Sequence, residues 1–350
     1  MSSAPILEVR GLTVEYASSR GAVGAVDNVD LDVHAGEFVG VVGESGCGKS
    51  TLLFGIAQLL SPPAAITAGT VRFNGHNLVT MTEKSLNAWR WRDFSVVMQS
   101  AMNALNPVKS IGAQFRDVIE AHDEHVDANR PAEVLELVGI DPIHLKSYPH
   151  QLSGGMRQRA MIAMALLFTP DLVIMDEPTS ALDVVAQRQL MLQIKKLQRD
   201  LGFAVMFVTH DMSLVSHFSD QLLVMYAGQV VEVGPTRQVF DSPAHPYSRG
   251  LLDAFPSING PLTRLTGIPG SPPDLAHPPA GCRFNPRCPD VFADCHVVEP
   301  DLYQVGPARA RCLLHRPKEE AAHAFAETET VGSRSEARTS RVPLKREGEA

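Results

Sequence analysis

Long apolar runs are absent from this 350-residue sequence, and so is an excess of positive charge. The longest apolar runs, such as AMIAMALLF at residues 160–168, fall far short of the roughly 20 residues that cross a bilayer. The first residues, MSSAPILEVRG, have neither the cationic nor the apolar segment of a secretory signal. The formal net charge of −8 gives no general attraction to nucleic acid or to an acidic membrane surface. These absences predict no nucleic-acid partner, and a membrane role only through another protein.

Cysteine is scarce and unevenly placed, with 5 residues in the whole chain. Cys47 stands alone, whereas the other cysteines lie near the C-terminus. A chain without an export signal is expected in a reducing compartment, where a cysteine cluster indicates bound metal or iron–sulfur more often than disulfides. The clustered cysteines are Cys282, Cys288, Cys295 and Cys312.

Hydrophobic residues make up 44% of the chain and predict a folded protein with an α/β core. The opening segment alternates apolar and polar residues, which is typical of antiparallel strands with one buried face. FVGVV (38–42), LVIM (172–175) and AVMFV (204–208) are continuous apolar runs, as expected for parallel strands covered on both faces. Helical patterns separate these runs, and QLLVMY with QVVEVG predicts a hairpin.

The sequence pattern changes twice along the chain. Helical periodicity dominates from about residue 85 to 169, which predicts a helical subdomain inserted into the α/β core. From about Pro243 proline and glycine become frequent, which predicts a small loop-rich appendage. We therefore expect a large unit over residues 1–255, the appendage over residues 256–318 and a disordered tail over residues 319–350.

A glycine-rich loop, GESGCGKS at residues 43–50, follows FVGVV and leads into a helix predicted to begin near Thr51. The pattern GxxxxGK[ST] between a strand and a helix indicates a nucleoside triphosphate site, because backbone N–H groups and the helix N-terminus surround the phosphates. Lys49 would neutralise the β and γ phosphates and Ser50 would bind Mg²⁺. The residues predicted to contact the nucleotide here are Gly43, Glu44, Ser45, Gly46, Cys47, Gly48, Lys49, Ser50 and Thr51.

Two carboxylates end the apolar segment DLVIMDE at residues 171–177. Asp176 is placed to hold Mg²⁺ beside the phosphate loop. Glu177 would orient and deprotonate the water that attacks the γ-phosphate. Together with GKS upstream, this pair predicts hydrolysis of the bound triphosphate.

A second anion site is predicted at LSGGMRQR, residues 152–159. Ser153, Gly154 and Gly155 open a helix, so a hydroxyl, free N–H groups and the helix dipole meet at one point. One chain cannot readily fold both anion sites onto the same phosphate. These motifs, in this order over about residues 6–255, resemble the ATP-binding cassette (ABC) family, in which this helix end closes on the ATP of the opposite subunit.

The resemblance implies roles for four further residues. In that family Tyr16 would stack on adenine, and Gln99 would contact Mg²⁺ and the attacking water. Asp183 would couple the two sites of a dimer, and His210 would hydrogen-bond the γ-phosphate. Met156 stands where the commonest signature has glutamine, a variant that looks like the peptide-importer branch.

Three segments resemble the ATPase subunits of bacterial dipeptide and oligopeptide permeases, which include nickel and glutathione importers: ALNPVKSIGAQ (104–114), SPAHPYSRGLLDAFP (242–256) and GCRFNPRCP (281–289). The resemblance implies two transmembrane permease subunits, a second cassette that is a paralogue or an identical copy, and an extracytoplasmic peptide-binding protein. It also implies a place at the cytoplasmic face of the membrane. A soluble cassette ATPase of DNA repair or translation and an ATP-binding scaffold without turnover are the alternatives.

The clustered cysteines have the spacing C-x5-C-x6-C-x16-C. Four thiolates suit a 4Fe-4S cluster and also tetrahedral Zn²⁺. The CxxC pairs of zinc ribbons are missing, and members of the resembling family hold 4Fe-4S clusters here. We therefore expect a structural 4Fe-4S cluster, with zinc or reduced thiols as the alternatives.

Overall fold

The fold is described from a computed structural model of the chain. It describes residues 4–19, 21–99, 104–122, 126–180, 182–254 and 267–317. The tail predicted at residues 319–350 lies outside the described residues, as does the start of the predicted appendage.

The secondary structure alternates strands and helices through most of the described chain. The strands are β1 (Leu7–Ser18), β2 (Gly21–Val33), β3 (Phe38–Val42), β4 (Ala64–Phe73), β5 (His76–Asn77), β6 (Phe94–Val97), β7 (Leu172–Asp176), β8 (Ala204–Val208), β9 (Gln221–Tyr226), β10 (Gln229–Pro235), β11 (Tyr303–Val305) and β12 (Ala308–Ala310). The α-helices are α1 (Lys49–Ile56), α2 (Glu83–Trp89), α3 (Ile111–Ala121), α4 (Arg130–Leu137), α5 (Gly154–Ala165), α6 (Val184–Leu201), α7 (Met212–Phe218), α8 (Thr236–Asp241) and α9 (Pro246–Asp253).

The larger sheet has the strand order β11-β12-β10-β9-β3-β8-β7-β6. Its central strands β9, β3, β8, β7 and β6 are parallel, and β9 and β10 form the antiparallel hairpin that the sequence predicted. Every residue of β3, β7 and β8 is buried, because helices and the second sheet leave neither face open to water. The predicted α/β core is confirmed.

The smaller sheet is antiparallel and has the order β2-β1-β4-β5. Its inward-facing residues, among them Val9, Val14 and Leu31, pack in one apolar cluster with Leu52 and Ile56 of α1. This packing joins the antiparallel subdomain to the helix that follows β3. The predicted antiparallel subdomain is confirmed.

The predicted helical subdomain, about residues 85–169, differs from the structure at its start. β6 lies inside that range, yet it pairs with β7 as an edge strand of the larger sheet. Phe94 and Val97 are buried in this short strand, which matches the strand SVVM (95–98) that the sequence predicts before Gln99. The helices α3, α4 and α5 follow β6, and α5 packs against both α4 and β6.

The C-terminal segment, residues 267–317, is mostly loops and 3₁₀ turns, as its composition predicted. However, β12 pairs with β10 and β11 pairs with β12, so the segment extends the larger sheet by two strands. The buried Arg311 adds hydrogen bonds from its guanidinium to the carbonyls of Val230 (3.2 Å) and Pro300 (3.2 Å). The segment is therefore continuous with the core.

Candidate functional site

The phosphate loop lies between the C-terminal end of β3 and the N-terminus of α1. The helix begins at Lys49, two residues before the predicted Thr51. Gly48 precedes it with φ +104°, and a side chain there would collide with the carbonyl oxygen of Ala25. Gly43 has a similar constraint, since a side chain would meet the carbonyl oxygen of Met225. Both positions therefore require glycine, and the loop can turn its N–H groups inward.

Lys49 is the cation of the loop and is 8% exposed. Its Nζ donates hydrogen bonds to the carbonyl oxygens of Gly43 (2.8 Å) and Glu44 (2.9 Å). The ammonium group is thus held across the loop, close to the positive end of the α1 dipole. A fixed cation, a helix N-terminus and free N–H groups form a site for a polyphosphate.

An open cleft of about 550 Å³ runs past the loop. Most of the residues predicted to contact the nucleotide line it, and so do three that the sequence did not indicate: Val23, Ala25 and Leu275. The lining residues are Tyr16, Val23, Ala25, Gly43, Ser45, Gly46, Gly48, Lys49, Ser50, Thr51, Gln99, Glu177, His210 and Leu275.

Two loop residues that were predicted to contact the nucleotide do not line the cleft. The Glu44 carboxylate is paired with Arg287 of the C-terminal segment, because that guanidinium offers it two parallel hydrogen bonds. Cys47 is buried in the apolar cluster beneath the loop, and burial raises the pKa of its thiol. Both side chains therefore contact other parts of the protein rather than the cleft.

The hydroxyl of Ser50 donates a hydrogen bond to Oδ1 of Asp176 (3.0 Å), which ends β7. Asp176 is 3% exposed. Burial raises its pKa, the hydrogen bond from Ser50 opposes this, and the nearby charge of Glu177 raises the pKa further. A hydroxyl and a carboxylate in contact are hard oxygen donors that fit Mg²⁺.

Glu177 follows Asp176 with φ +44°, which is uncommon for a residue with a side chain. Its N–H donates to the carbonyl of Val208 (3.0 Å), and its carboxylate accepts a hydrogen bond from Nε2 of Gln99 (2.7 Å). Nδ1 of His210 lies 3.3 Å from the other carboxylate oxygen. The structure therefore brings together the three residues that the sequence proposed as catalytic, at the ends of three neighbouring parallel strands.

Tyr16 lies on the wall of the cleft that is formed by the antiparallel sheet. Its hydroxyl lies 3.2 Å from Oγ1 of Thr51. The apolar side chains of Val23 and Ala25 line the cleft on the same sheet. This wall offers an aromatic ring and apolar surface, the surroundings that a nucleotide base takes up.

The predicted second anion site lies elsewhere on the same chain. Oγ of Ser153 accepts a hydrogen bond from the N–H of Met156 (3.2 Å) and caps α5, which begins with Gly154 and Gly155. Asp183 caps α6 by accepting from the N–H of Ala186 (2.9 Å). None of these residues lines the cleft at the phosphate loop.

The four C-terminal cysteines line one small cavity together with His245, Phe284 and Leu313. All four are free thiols. Burial, with the other thiols adding, raises the pKa of Cys288 to about 11 and that of Cys312 to about 12. Within the described ranges, no three His, Cys, Asp or Glu side chains are arranged to hold a metal ion. The cysteines therefore share one enclosure without forming a single-ion site.

Comparison with known proteins gives full-length relatives. Dipeptide transport ATP-binding protein DppD of Caldanaerobacter subterraneus subsp. tengcongensis is 38% identical over 316 residues, which are 89% of this chain and 97% of that protein. Oligopeptide transport ATP-binding protein OppD of Salmonella typhimurium is 41% identical over 320 residues, 90% of this chain and 95% of that protein. The dimeric structure of MJ0796, a bacterial ABC transporter cassette, is similar with a TM-score of 0.60 and 28% identity, covering 66% of this chain and 99% of that one.

The sheet, the phosphate loop, the paired carboxylates and the capped helix at Ser153 define the class of ABC ATPases. Two family models agree with this, one described as ABC transporter over residues 26–180 and one as oligopeptide/dipeptide transporter, C-terminal region, over residues 231–295. The chain belongs to the dipeptide/oligopeptide family of ABC transporter ATP-binding proteins. No helix in the part of the chain described here is both long and apolar enough to cross a membrane.

Proposed function

We propose that this chain binds and hydrolyses ATP to energise a membrane importer of dipeptides or oligopeptides. The observation that carries the proposal is the group at the cleft, where Glu177 is held by Gln99 and His210 beside the Ser50–Asp176 pair. The relatives named above, which are described as dipeptide and oligopeptide transport proteins, support the choice of cargo.

The loop N–H groups and Lys49 would bind the phosphates, with Tyr16, Val23 and Ala25 beside the base. Ser50 and Asp176 would hold Mg²⁺ with Gln99 nearby, and the bound ion would supply charge neutralisation between the β and γ phosphates. Gly43, Ser45, Gly46, Gly48 and Thr51 complete the cradle. Binding in this cleft therefore depends mainly on positioning and on opposite charge.

Hydrolysis needs a water aligned with the γ-phosphate and a base to take its proton. Glu177 is the base, because its carboxylate lines the cleft next to the proposed Mg²⁺ residues. Gln99 donates to one oxygen of that carboxylate and orients it. His210 would hydrogen-bond the γ-phosphate and stabilise the charge that develops there.

Ser153, Gly154, Gly155 and Asp183 would act on the ATP of a facing cassette, either a paralogue or a second copy. This assignment is supported by their distance from the chain's own cleft, whose lining residues do not include them. Closing and opening of the two cassettes would drive two transmembrane permease subunits at the cytoplasmic face of the membrane, supplied by an extracytoplasmic peptide-binding protein. Residues 1–255 would form the nucleotide unit and residues 256–318 the cysteine-bearing unit.

The experiment is peptide uptake by vesicles that contain the assembled transporter. We expect ATP-dependent uptake of labelled dipeptides or oligopeptides, and none with Glu177→Gln. Uptake of nickel or glutathione without peptide would contradict the proposed cargo. ATP turnover by a chain that does not associate with membrane subunits would favour the soluble ATPase instead.

We also propose that Cys282, Cys288, Cys295 and Cys312 hold a 4Fe-4S cluster. Their thiols line one cavity with the apolar side chains of Phe284 and Leu313. Four thiolates suit either a cluster or tetrahedral zinc, and the missing CxxC pairs of zinc ribbons favour the cluster.

Protein purified without oxygen tests the cluster proposal. We expect absorbance near about 400 nm that Cys312→Ser removes and Cys47→Ser leaves unchanged, because Cys47 lies in the phosphate loop. Colourless protein with stoichiometric zinc would contradict the proposal.

A further inference from the structure

An ion pair between the buried Arg287 and the half-buried Glu44 joins the C-terminal segment to the phosphate loop. Arg287 lies in a 3₁₀ turn (Asn285–Arg287), and its side chain is 5% exposed. Its two terminal nitrogens donate hydrogen bonds to the two carboxylate oxygens of Glu44 (2.7 and 2.9 Å). Such a paired contact is among the strongest and most directional that side chains form. It therefore fixes the orientation of Glu44 as well as its distance.

Arg287 is itself held from the other side. Its Nε donates to the carbonyl of Pro269 (2.8 Å), and one terminal nitrogen lies 3.3 Å from the hydroxyl of Tyr226. The guanidinium carbon also lies 5.7 Å from the centre of the Tyr226 ring. The hydrogen bonds to Glu44 raise the pKa of Arg287, so its charge is permanent. The guanidinium group is therefore held in one position by contacts on both sides.

Glu44 connects Arg287 to Lys49 of the phosphate loop. Its N–H donates to the hydroxyl of the buried Tyr247 (2.9 Å), and its carbonyl accepts a hydrogen bond from Nζ of Lys49 (2.9 Å). The side chain and both backbone groups of Glu44 are therefore occupied. The position of the Lys49 ammonium depends on a residue that Arg287 holds in place.

We infer that Arg287 is a positioning residue of the ATP site, acting through Glu44 on the phosphate loop and Lys49. The inference rests on the proposed function and deepens it, because the C-terminal segment becomes a working part of nucleotide binding. The two partners come from different matched regions, Glu44 from residues 26–180 and Arg287 from residues 231–295. The phosphate loop of this chain is then held in place by the chain's own C-terminal segment.

The test is equilibrium binding of a fluorescent ATP analogue to the full chain, with steady-state ATPase kinetics. We expect Arg287→Met to weaken binding about tenfold, within the range of typical couplings between sites. KM for ATP rises in proportion while kcat changes less than about twofold, because the loop still reaches its working position once ATP is bound. Arg287→Lys recovers part of the affinity, since it keeps the charge but loses the paired geometry.

A double-mutant cycle separates this role from simple attachment of the segment. If Arg287 acts through Glu44, Glu44→Gln with Arg287→Met binds ATP no more weakly than the weaker single variant. The matched control is Arg283→Met. Arg283 lies in the same segment and also pairs with a core carboxylate, Asp27, while donating to the carbonyl of Ala227 (2.5 Å), but it does not touch Glu44 or Lys49. We expect it to lower thermal stability and to leave ATP affinity unchanged.

Two results would overturn the inference: ATP affinity of Arg287→Met within twofold of wild type, or an equal loss in Arg283→Met. If Arg287→Met does not fold, Arg287→Lys and Glu44→Gln decide in the same assay. Wild-type protein that fails to bind ATP would refute the proposed function instead, and Lys49→Ala provides the reference for lost binding.

Discussion

Asp176→Asn is expected to stabilise the nucleotide-free protein while it removes activity. Asp176 is 3% exposed and accepts a hydrogen bond from Ser50, yet burial raises its pKa and the charge of Glu177 adds to the penalty. In the absence of Mg²⁺ the buried carboxylate is therefore poorly compensated. Asparagine keeps the shape and the acceptor oxygen without the charge.

The size of the effect follows from the cost of an imperfectly paired buried polar group. At the lower end that cost is about 1 kcal/mol, because the Ser50 hydrogen bond and the nearby Lys49 offset part of it. For a domain of this size, ~1 kcal/mol corresponds to an increase in Tm of about 2–4 °C. With saturating MgATP, wild type is expected to have the higher Tm of the two proteins, because a ligand at 100 times its Kd stabilises wild type by about 2.7 kcal/mol. The variant, which lacks a Mg²⁺ ligand, gains less.

The assay is calorimetric Tm in EDTA and again in MgATP. Asp117→Asn is the control, because the Asp117 side chain is 49% exposed in its pair with Lys109, so its Tm in EDTA is expected to change by less than about 1 °C. A lower Tm for Asp176→Asn than for wild type in EDTA would show that the buried carboxylate stabilises the nucleotide-free fold.

The stability difference between wild type and Asp176→Asn is expected to grow as pH rises. Folding raises the pKa of Asp176 from its ordinary value of 3.8, so stability associated with the protonated form is present at low pH and is lost as pH rises through the folded pKa. Wild type therefore falls further behind Asp176→Asn as pH increases. A gap that is equal at pH about 5 and about 8, or larger at pH about 5, would contradict this assignment.

Three further predictions concern the cleft. Lys49→Ala is expected to weaken ATP binding by about 100-fold (~2.7 kcal/mol) in a fluorescence titration. The control is Lys109→Ala, which removes a lysine from the exposed Lys109–Asp117 pair and is expected to bind ATP as wild type does. Equal ATP affinities of Lys49→Ala and wild type would exclude the role of Lys49. Tyr16→Ala is expected to weaken ATP binding about tenfold and Tyr16→Phe to retain it, because the aromatic ring rather than the hydroxyl would hold the base. If Tyr16→Phe loses as much ATP affinity as Tyr16→Ala, the effect comes from the contact of the hydroxyl with Thr51. Glu177→Gln lowers kcat by about 10²–10⁴ in a phosphate-release assay and leaves ATP binding intact, and turnover within threefold of wild type would exclude it as the base.

Much of the core could be predicted because burial on both faces leaves a direct trace in sequence. The strands β3, β7 and β8 are continuous apolar runs, and the loop at residues 43–50 contains two glycines, Gly43 and Gly48, that leave no room for a side chain. Glu177 was predictable because it directly follows a buried strand, whereas Gln99 and His210 were assigned from the resemblance to the family.

The remainder depended on long-range contacts that have no local pattern. β11 and β12 have three residues each and are held by pairing with β10, so no periodicity indicates them. Glu44 and Arg287 are 243 residues apart, and neither position alone predicts the other. Leu275 lines the cleft from a proline-rich loop whose composition indicates only irregular structure.

The central claim is that ATP is enclosed between the phosphate loop of one cassette and the Ser153 helix end of a facing cassette. The most direct measurement is a photocrosslink from a photoreactive residue at His150, an exposed position shortly before Ser153, in Glu177→Gln transporter with and without MgATP. If ATP is enclosed in this way, a crosslink forms only with MgATP and maps by mass spectrometry to residues 43–50 of the facing cassette. A crosslink that is independent of MgATP or maps elsewhere, in a transporter whose parent hydrolyses ATP normally, would contradict it.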